Sequence, residues 1–119
     1  MKEKYYRVKG MYKDYIVFVK SGNFWNAFYG DALILHYVTK YVFKNNKVGF
    51  PSKVLNIVLS KINNLNISYV LVYELDSIVK CEYVSNLYTF YLGKFMNVYR
   101  LEKDLMNVVE IILLEMVVI

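Results

Sequence analysis

Few residues in this 119-residue chain could do catalytic chemistry. It has one cysteine, Cys81, and one histidine, His36, so it cannot supply a multi-thiolate or multi-histidine metal site. Nothing in the sequence predicts that those two residues meet, as a thiol–imidazole mechanism would require. Glu74, Asp76 and, further on, Glu82 form only a weak pattern for a metal-dependent nuclease, because acids at strand ends are usually solvated. We predict no catalytic residue, no metal and no cofactor, and hence a protein that is not an enzyme.

Basic residues are concentrated in the first half of the chain. Residues 1–60 hold ten Lys or Arg against three acids, and residues 61–119 hold five against seven, for a formal net charge of +5. An anionic partner such as DNA requires a basic surface, since Lys and Arg at phosphates release counterions on binding. Dispersed cations that only solvate the surface explain the same numbers, and charge alone favours this second interpretation.

The composition is that of a folded domain. The chain is 57% hydrophobic and only 21% charged, which excludes a disordered chain. Its start is polar and unlike a signal peptide. The longest apolar tract, 108–119, contains Glu110 and Glu115 and is too short to span a bilayer. We predict one cytoplasmic domain over 1–119 with no membrane association.

The first elements are predicted from a β-branched run and a break. Residues 15–20 are apolar and β-branched, which is typical of a buried strand. Gly22 and Asn23 end that run, and Asn23 is a favourable N-cap for a helix that begins at Phe24. The predicted helix has an apolar face at the 3.6-residue period, formed by Phe24, Phe28, Ala32 and Leu35.

A hairpin, a second helix and a second strand are predicted next. Residues 39–44 and 47–50 form the hairpin, because Asn45-Asn46 supplies the positive φ angles of a tight turn. Pro51 opens the second helix, and residues 67–73 form another buried strand.

The signal weakens after Asp76. Residues 78–83 are predicted as an edge strand, and a C-terminal helix is predicted from Leu101, Leu105, Val108, Val109, Ile112 and Met116. That helix is apolar beyond one stripe, so it is either deeply buried or packed on a partner. Together the elements predict a single α/β domain, with a mixed β-sheet flanked by helices and an extra C-terminal helix.

The stretch 15–73 resembles the N-terminal mismatch-recognition domain, domain I, of the bacterial MutS family. That family has a strand leading into Gly-Asp-Phe-Tyr-Glu-Leu-Phe, then a two-residue gap and Asp-Ala; this chain has Gly22-Asn23-Phe24-Trp25-Asn26-Ala27-Phe28-Tyr29-Gly30-Asp31-Ala32. The family's Gly-Ile-Pro-Tyr-His corresponds to Gly49-Phe50-Pro51-Ser52-Lys53, and its Val-Ala-Ile strand to Tyr69-Val70-Leu71-Val72. The best-matched part is 12–76, and 77–119 is an unmatched extension.

The resemblance implies a DNA-binding role for particular residues. It places an aromatic wedge, which enters the minor groove and stacks on a mispaired base, at Phe24, and the polar partner at Asn26, where the family has Glu. Asn both donates and accepts, so it can contact a base edge, but it cannot supply a carboxyl group. Further candidates for DNA contact are Trp25, Lys20, Lys40, Lys44, Lys47 and Lys53. The alternative interpretation makes Phe24 a core aromatic at the start of a helix.

The family's clamp and ATPase have no counterpart in the sequence. Its nearest approach to a phosphate-binding Gly-x4-Gly-Lys-Ser/Thr motif is Gly93-Lys94-Phe95, which lacks the hydroxyl residue. We therefore predict a stand-alone domain that binds double-stranded DNA weakly, with or without a mismatch. The competing hypothesis is a protein–protein interaction module that has lost mismatch recognition and forms a homodimer, or binds another protein, through the 101–118 helix.

Overall fold

The computed structural model describes residues 1–118, which form five strands and four helices. In chain order these are α1 (Lys2–Met11), β1 (Ile16–Ser21), β2 (Phe24–Phe28), α2 (Tyr29–Thr39), β3 (Lys47–Pro51), a 3₁₀ turn (Ser52–Val54), α3 (Leu55–Asn64), β4 (Tyr69–Val72), β5 (Ile78–Cys81) and α4 (Tyr88–Val118). The sheet order is β3-β2-β1-β4-β5, with β1 and β4 parallel and the other neighbours antiparallel. The predicted α/β domain with a mixed sheet and a C-terminal helix is confirmed.

One face of the sheet packs under α2, α3 and the start of α4, and the other packs under α1. Successive side chains of a strand point to opposite faces. Phe18 of β1 therefore packs in the core under α2 and α3. Val17 and Val19 face the other side and pack against Tyr5 and Val8 of α1. Because β1 and β4 are buried on both faces, they are apolar at nearly every position, and their sequence pattern identified them as buried strands.

The predicted helix at Phe24 is wrong. Residues Phe24–Phe28 form β2, which pairs with β1 through a two-residue turn in which Gly22 has a φ of +58°. Such a turn needs a residue that tolerates positive φ, and glycine does so without steric cost. The i, i+4 spacing of Phe24 and Phe28 resembled a helical face. In the strand, however, Trp25 and Ala27 face the core under α2 and α3, and the alternate residues of β2 face the other side of the sheet.

The predicted strand at 39–44 is also wrong. Thr39 ends α2, and Lys40 caps that helix in a left-handed conformation, its N–H donating to His36 O at 2.8 Å. Tyr41 and Phe43 then pack on the core from an irregular segment, so their apolarity serves packing rather than a strand. The turn itself is confirmed, since Asn45 and Asn46 have φ of 54° and 57°. Its following strand, β3, pairs mainly with β2.

Two helices differ from the sequence prediction in extent. α1 was not predicted, because its buried residues are only Tyr5 and Val8 in an otherwise polar segment. α4 begins at Tyr88, earlier than the stripe from Leu101 indicated. The last residue of the predicted apolar tract, Ile119, lies outside the described residues.

Candidate nucleic-acid interface

The period of β2 decides which of its side chains reach solvent. Phe24 and Asn26 lie on the same face of the sheet, and Trp25 lies on the opposite face. The Phe24 side chain is 51% exposed, so Phe24 is not the buried core aromatic of the alternative interpretation. Trp25 is 2% exposed and packs edge-on against Tyr73, with ring centroids 5.1 Å apart. A base could reach Trp25 only if the core opened, so Trp25 is a packing residue.

An open groove of about 450 Å³ lies beside Phe24. Its lining brings together four of the residues predicted from sequence, together with the chain start and two small residues: Phe24, Asn26, Lys44, Lys47, Met1, Ser21 and Gly49. The groove therefore combines an exposed aromatic ring, an amide and two cations on one face of the sheet.

The Asn26 amide lies at the floor of this groove. It is 4% exposed, and its Nδ2 donates a long hydrogen bond of 3.4 Å to Val19 O on the neighbouring strand. Gly49 is its partner on β3, and a Cβ at Gly49 would come within 2.9 Å of Asn26 Oδ1. The glycine thus leaves the room that the amide oxygen occupies.

Gly49→Ala is expected to displace the Asn26 amide while changing the free energy of unfolding by no more than about 1 kcal/mol, because alanine loses less backbone entropy on folding than glycine and this gain offsets the crowding. The measurement is the position of the Asn26 side-chain amide resonances by NMR. Gly93→Ala is the control, since a Cβ there meets nothing within 4 Å. Unmoved Asn26 resonances in Gly49→Ala would contradict the packing described here.

Lys44 and Lys47 are held at the groove edge by the Asn45-Asn46 turn. The backbone of Lys44 bonds that of Lys47 in both directions at 3.1 Å, and Tyr29 N donates to Asn46 O at 2.8 Å. Lys44 is exposed and Lys47 is half-buried. The turn therefore fixes the backbone of both cations at the edge of the groove, with Lys47 opposite Phe28 in the strand register.

The other predicted lysines are more dispersed. Lys20 lines a second groove of about 420 Å³, which shares Met1 and Ser21 with the first. Lys53 follows Ser52, whose N–H donates to Asn23 O at 2.8 Å, so it lies near the β1–β2 turn. Lys40 caps α2. Among the described residues, Lys40 and Lys53 line neither groove.

Helix α1 borders the second groove through Lys4, and its N-cap residue Met1 lines both grooves. The helix is fixed by ion pairs that sequence reasoning missed. Lys4 Nζ lies 3.1 Å and an Arg7 guanidinium nitrogen 3.3 Å from Asp76 Oδ1, in the turn between β4 and β5. The hydrogen bond from Lys4 holds the pKa of Asp76 below its usual value, helped by the charges of both cations. These contacts place Met1 beside the groove, although the polar segment gave no signal for it.

A second missed feature is the buried carboxylate of Asp31, which is 0% exposed. Its Oδ1 accepts from Lys9 Nζ at 2.8 Å and from Tyr88 Oη at 2.6 Å, and its Oδ2 accepts from Tyr5 Oη at 2.9 Å and from Val17 N at 3.1 Å. Burial raises the pKa of Asp31, and the charge of Lys9 opposes that rise. The sequence signals for Asp31 were its match to the Asp-Ala of the family motif and its position before an apolar run, and neither indicated that the carboxylate is buried.

The residues considered for catalysis are engaged elsewhere. His36 Nδ1 lies 2.7 Å from Tyr41 O, and Glu82 accepts from Tyr15 Oη. Cys81 Sγ lies 3.9 Å from Asn63 Oδ1. Among the residues that the structure describes, no three His, Cys, Asp or Glu side chains are grouped to hold a metal ion. Within the same part of the chain, no helix is long and apolar enough to cross a membrane.

The mixed five-stranded sheet with helices on both faces defines the class of protein, an α/β domain, and its open groove has an aromatic residue and an amide two positions apart on one strand. The chain belongs to the MutS domain I family, whose model matches residues 1–85. The match confirms the resemblance drawn from the Gly22–Ala32 motif and extends it to include α1 and β5. Residues 86–119, which contain α4, lie outside it. No curated protein matches the chain.

Proposed function

We propose that this MutS-like mismatch-recognition domain is a non-catalytic module that binds double-stranded DNA weakly through the groove beside Phe24. The observation that carries the proposal is the grouping of an exposed aromatic ring, an amide and two lysines on one open sheet face. In this proposal Phe24 enters the minor groove, Asn26 contacts a base edge, and the lysines bind phosphates.

Phe24 is suited to the wedge because its ring is half exposed while its strand is anchored on both sides. β2 pairs with both β1 and β3, and Trp25 and Ala27 fix it in the core. Apolar wedges that enter the minor groove unstack one base step and kink the duplex. A rigid strand lowers the entropy lost on binding, since only the side chain must be ordered.

The expected affinity is low because the free energy gained by stacking Phe24 on a base is about equal to the free energy needed to unstack that base. Stacking one aromatic on a base is worth about 1–3 kcal/mol, and unstacking a step costs about a few kcal/mol. Net affinity must come from phosphate contacts by Lys44, Lys47 and Lys20. Three or so contacts give salt-sensitive binding, on the order of 10⁻⁴–10⁻⁶ M.

The test is a fluorescence-anisotropy titration of the full chain against a mismatched and a matched duplex, at low and at physiological salt. We expect binding at low salt, with a preference for the mismatched duplex because a mispaired base costs less to unstack. Absence of binding to either duplex at low salt would overturn the proposal.

Lys44→Gln with Lys47→Gln is expected to make the slope of log affinity against log salt shallower by about 2, because each phosphate contact contributes about 0.9 to it. The matched control is Lys13→Gln with Lys61→Gln, which also removes two positive charges, but at exposed positions away from the groove. An equal change of the salt slope in both double variants would mean that Lys44 and Lys47 act only through the net charge of the protein, not through contacts at the groove.

A further inference from the structure

One stripe along α4 repeats every seven residues. Taken at alternating steps of three and four, it consists of Tyr88, Tyr91, Phe95, Val98, Glu102, Leu105, Val109, Ile112 and Met116. This 3.5-residue period is that of a coiled-coil seam, in which each helix packs one face on another helix.

The first half of the stripe is covered by the domain. Tyr88 is buried in the core, and Tyr91 and Phe95 pack against it. Glu102 accepts a hydrogen bond from Tyr37 Oη on α2 at 2.9 Å, which is where the domain contact ends. The established α2–α4 interface therefore occupies the seam up to position 102.

The second half of the same stripe has no cover. We call residues 101–116 the overhang; every one of them is exposed. On the stripe, Leu105 is 64%, Val109 46%, Ile112 49% and Met116 67% exposed. The apolar stripe continues at the same spacing beyond the last contact with α2. This spacing is typical of a helix that packs on another helix along the overhang as well.

The opposite side of the overhang is polar over its first two and a half turns. Lys103, Asp104, Asn107 and Glu110 lie away from the stripe, whereas Leu101, Met106, Val108 and Leu113 flank it. A helix with one polar side and one wide apolar side is typical of a helix packed on a partner rather than of one surrounded by water.

We propose that the overhang pairs with the overhang of a second copy of this chain, in antiparallel orientation. Leu105 then lies opposite Met116 of the second copy, and Val109 lies opposite its Ile112, so the four exposed seam residues form four apolar layers. This is an isologous contact, since the same patch is used by both copies.

The charge distribution identifies both the occupant and its orientation. The overhang holds four acids and one lysine, a net charge of −3, while residues 1–100 carry +8. The antiparallel arrangement brings each acidic overhang towards the basic domain of the other copy. A parallel arrangement would instead place the two basic domains side by side, where their like charges repel.

The length of the seam sets the strength of the dimer. Sixteen helical residues span about 24 Å, so the interface is near the lower limit for specific association, about 1,000 Å². We expect a reversible dimer that forms at roughly tens of micromolar protein. The groove at Phe24 lies on the sheet face opposite to the one that α4 packs on, so it stays open in the dimer.

Sedimentation velocity on the full chain from 5 to about 200 µM tests the association, a range chosen to cover that expected for a small interface. Val109→Lys is expected to raise the dimer dissociation constant by about tenfold or more, because it places a charge in the seam. Asn107→Lys adds the same charge on the polar side and is expected to change it by less than about twofold. Both side chains are exposed in the single chain, so neither change should alter the thermal melt of the monomer. A chain that stays monomeric throughout, or a dimer that Val109→Lys leaves intact, would overturn the proposal.

Disulfide trapping tests the orientation. In a Cys81→Ser background, a Leu105→Cys chain is mixed with a Met116→Cys chain and oxidised. We expect the mixed disulfide between the two chains in excess of either homodimer. Predominant 105–105 and 116–116 disulfides would show a parallel pair and would overturn the antiparallel arrangement.

Discussion

Asp31→Ala is expected to lower the free energy of unfolding by about 3 kcal/mol or more, because breaking a buried ion pair leaves its partner charge without compensation. The partner is Lys9, whose side chain is 22% exposed and whose Nζ lies 2.8 Å from Asp31 Oδ1. The hydroxyls of Tyr5 and Tyr88 and the N–H of Val17 lose their acceptor as well. Urea denaturation followed by circular dichroism measures the change.

Two further variants separate the charge from other effects. Asp76→Ala removes a carboxylate that is 58% exposed and paired with Lys4 and Arg7, and it is expected to change stability far less. Asp31→Asn keeps the shape of the side chain but puts an NH₂ group among four donors, so it is also expected to destabilise the fold clearly. A wild-type unfolding midpoint in Asp31→Asn would contradict the role of the carboxylate.

The Asp31 cluster matters for the groove because it joins the elements around it. Lys9 and Tyr5 belong to α1, Val17 to β1 and Tyr88 to α4, so one carboxylate links three elements to its own helix α2. Burial and the nearby carboxylate raise the pKa of both tyrosine hydroxyls, which therefore remain protonated donors. Loss of the cluster would loosen α1, which carries Met1 at the groove.

The strands that are buried on both faces could be predicted from sequence, and β2 could not. β1 and β4 are continuous β-branched runs, and the Asn45-Asn46 turn has a local conformational cause. β2 is short and has apolar residues on both faces except at Asn26, so its alternation was masked and the spacing of its two phenylalanines resembled a helix. Pairing with β1 and β3, which is non-local, decided the outcome.

The candidate site divides in the same way. The family motif identified Phe24 and Asn26, but only the strand period separates them from Trp25, which lies in the core. The sequence does not distinguish Lys44 and Lys47 from the other lysines of the basic half. The turn between them brings this pair to the groove, whereas Lys40 caps α2 and does not line it. Contacts between residues distant in sequence, such as those of α1 with the β4–β5 turn, have no local signal.

Phe24→Ala is expected to remove the preference for mismatched DNA and to weaken binding of the mismatched duplex by about 1–3 kcal/mol, which is the worth of one aromatic–base stack. Affinity for the matched duplex is expected to change little, since phosphate contacts dominate there. The ring is 51% exposed, so its removal leaves the core intact. Anisotropy titrations of both duplexes measure the effect.

Phe90→Ala is the matched control, because Phe90 is a 61% exposed phenylalanine on α4, away from the groove. Its titrations should match those of the wild-type chain. An equal loss on matched and mismatched duplexes in Phe24→Ala would instead indicate general packing of the ring on the sugar–phosphate backbone.

Salt dependence then separates the wedge from the cations. Stacking releases no counterions, so Phe24→Ala should leave the slope of log affinity against log salt unchanged, while the Lys44 and Lys47 double variant should reduce it. A wedge that acts through stacking therefore predicts two parallel lines for wild type and Phe24→Ala on the mismatched duplex. Converging lines would mean that the ring acts by positioning the lysines, and that Phe24 is a positioning residue for Lys44 and Lys47 rather than a contact to the mispaired base.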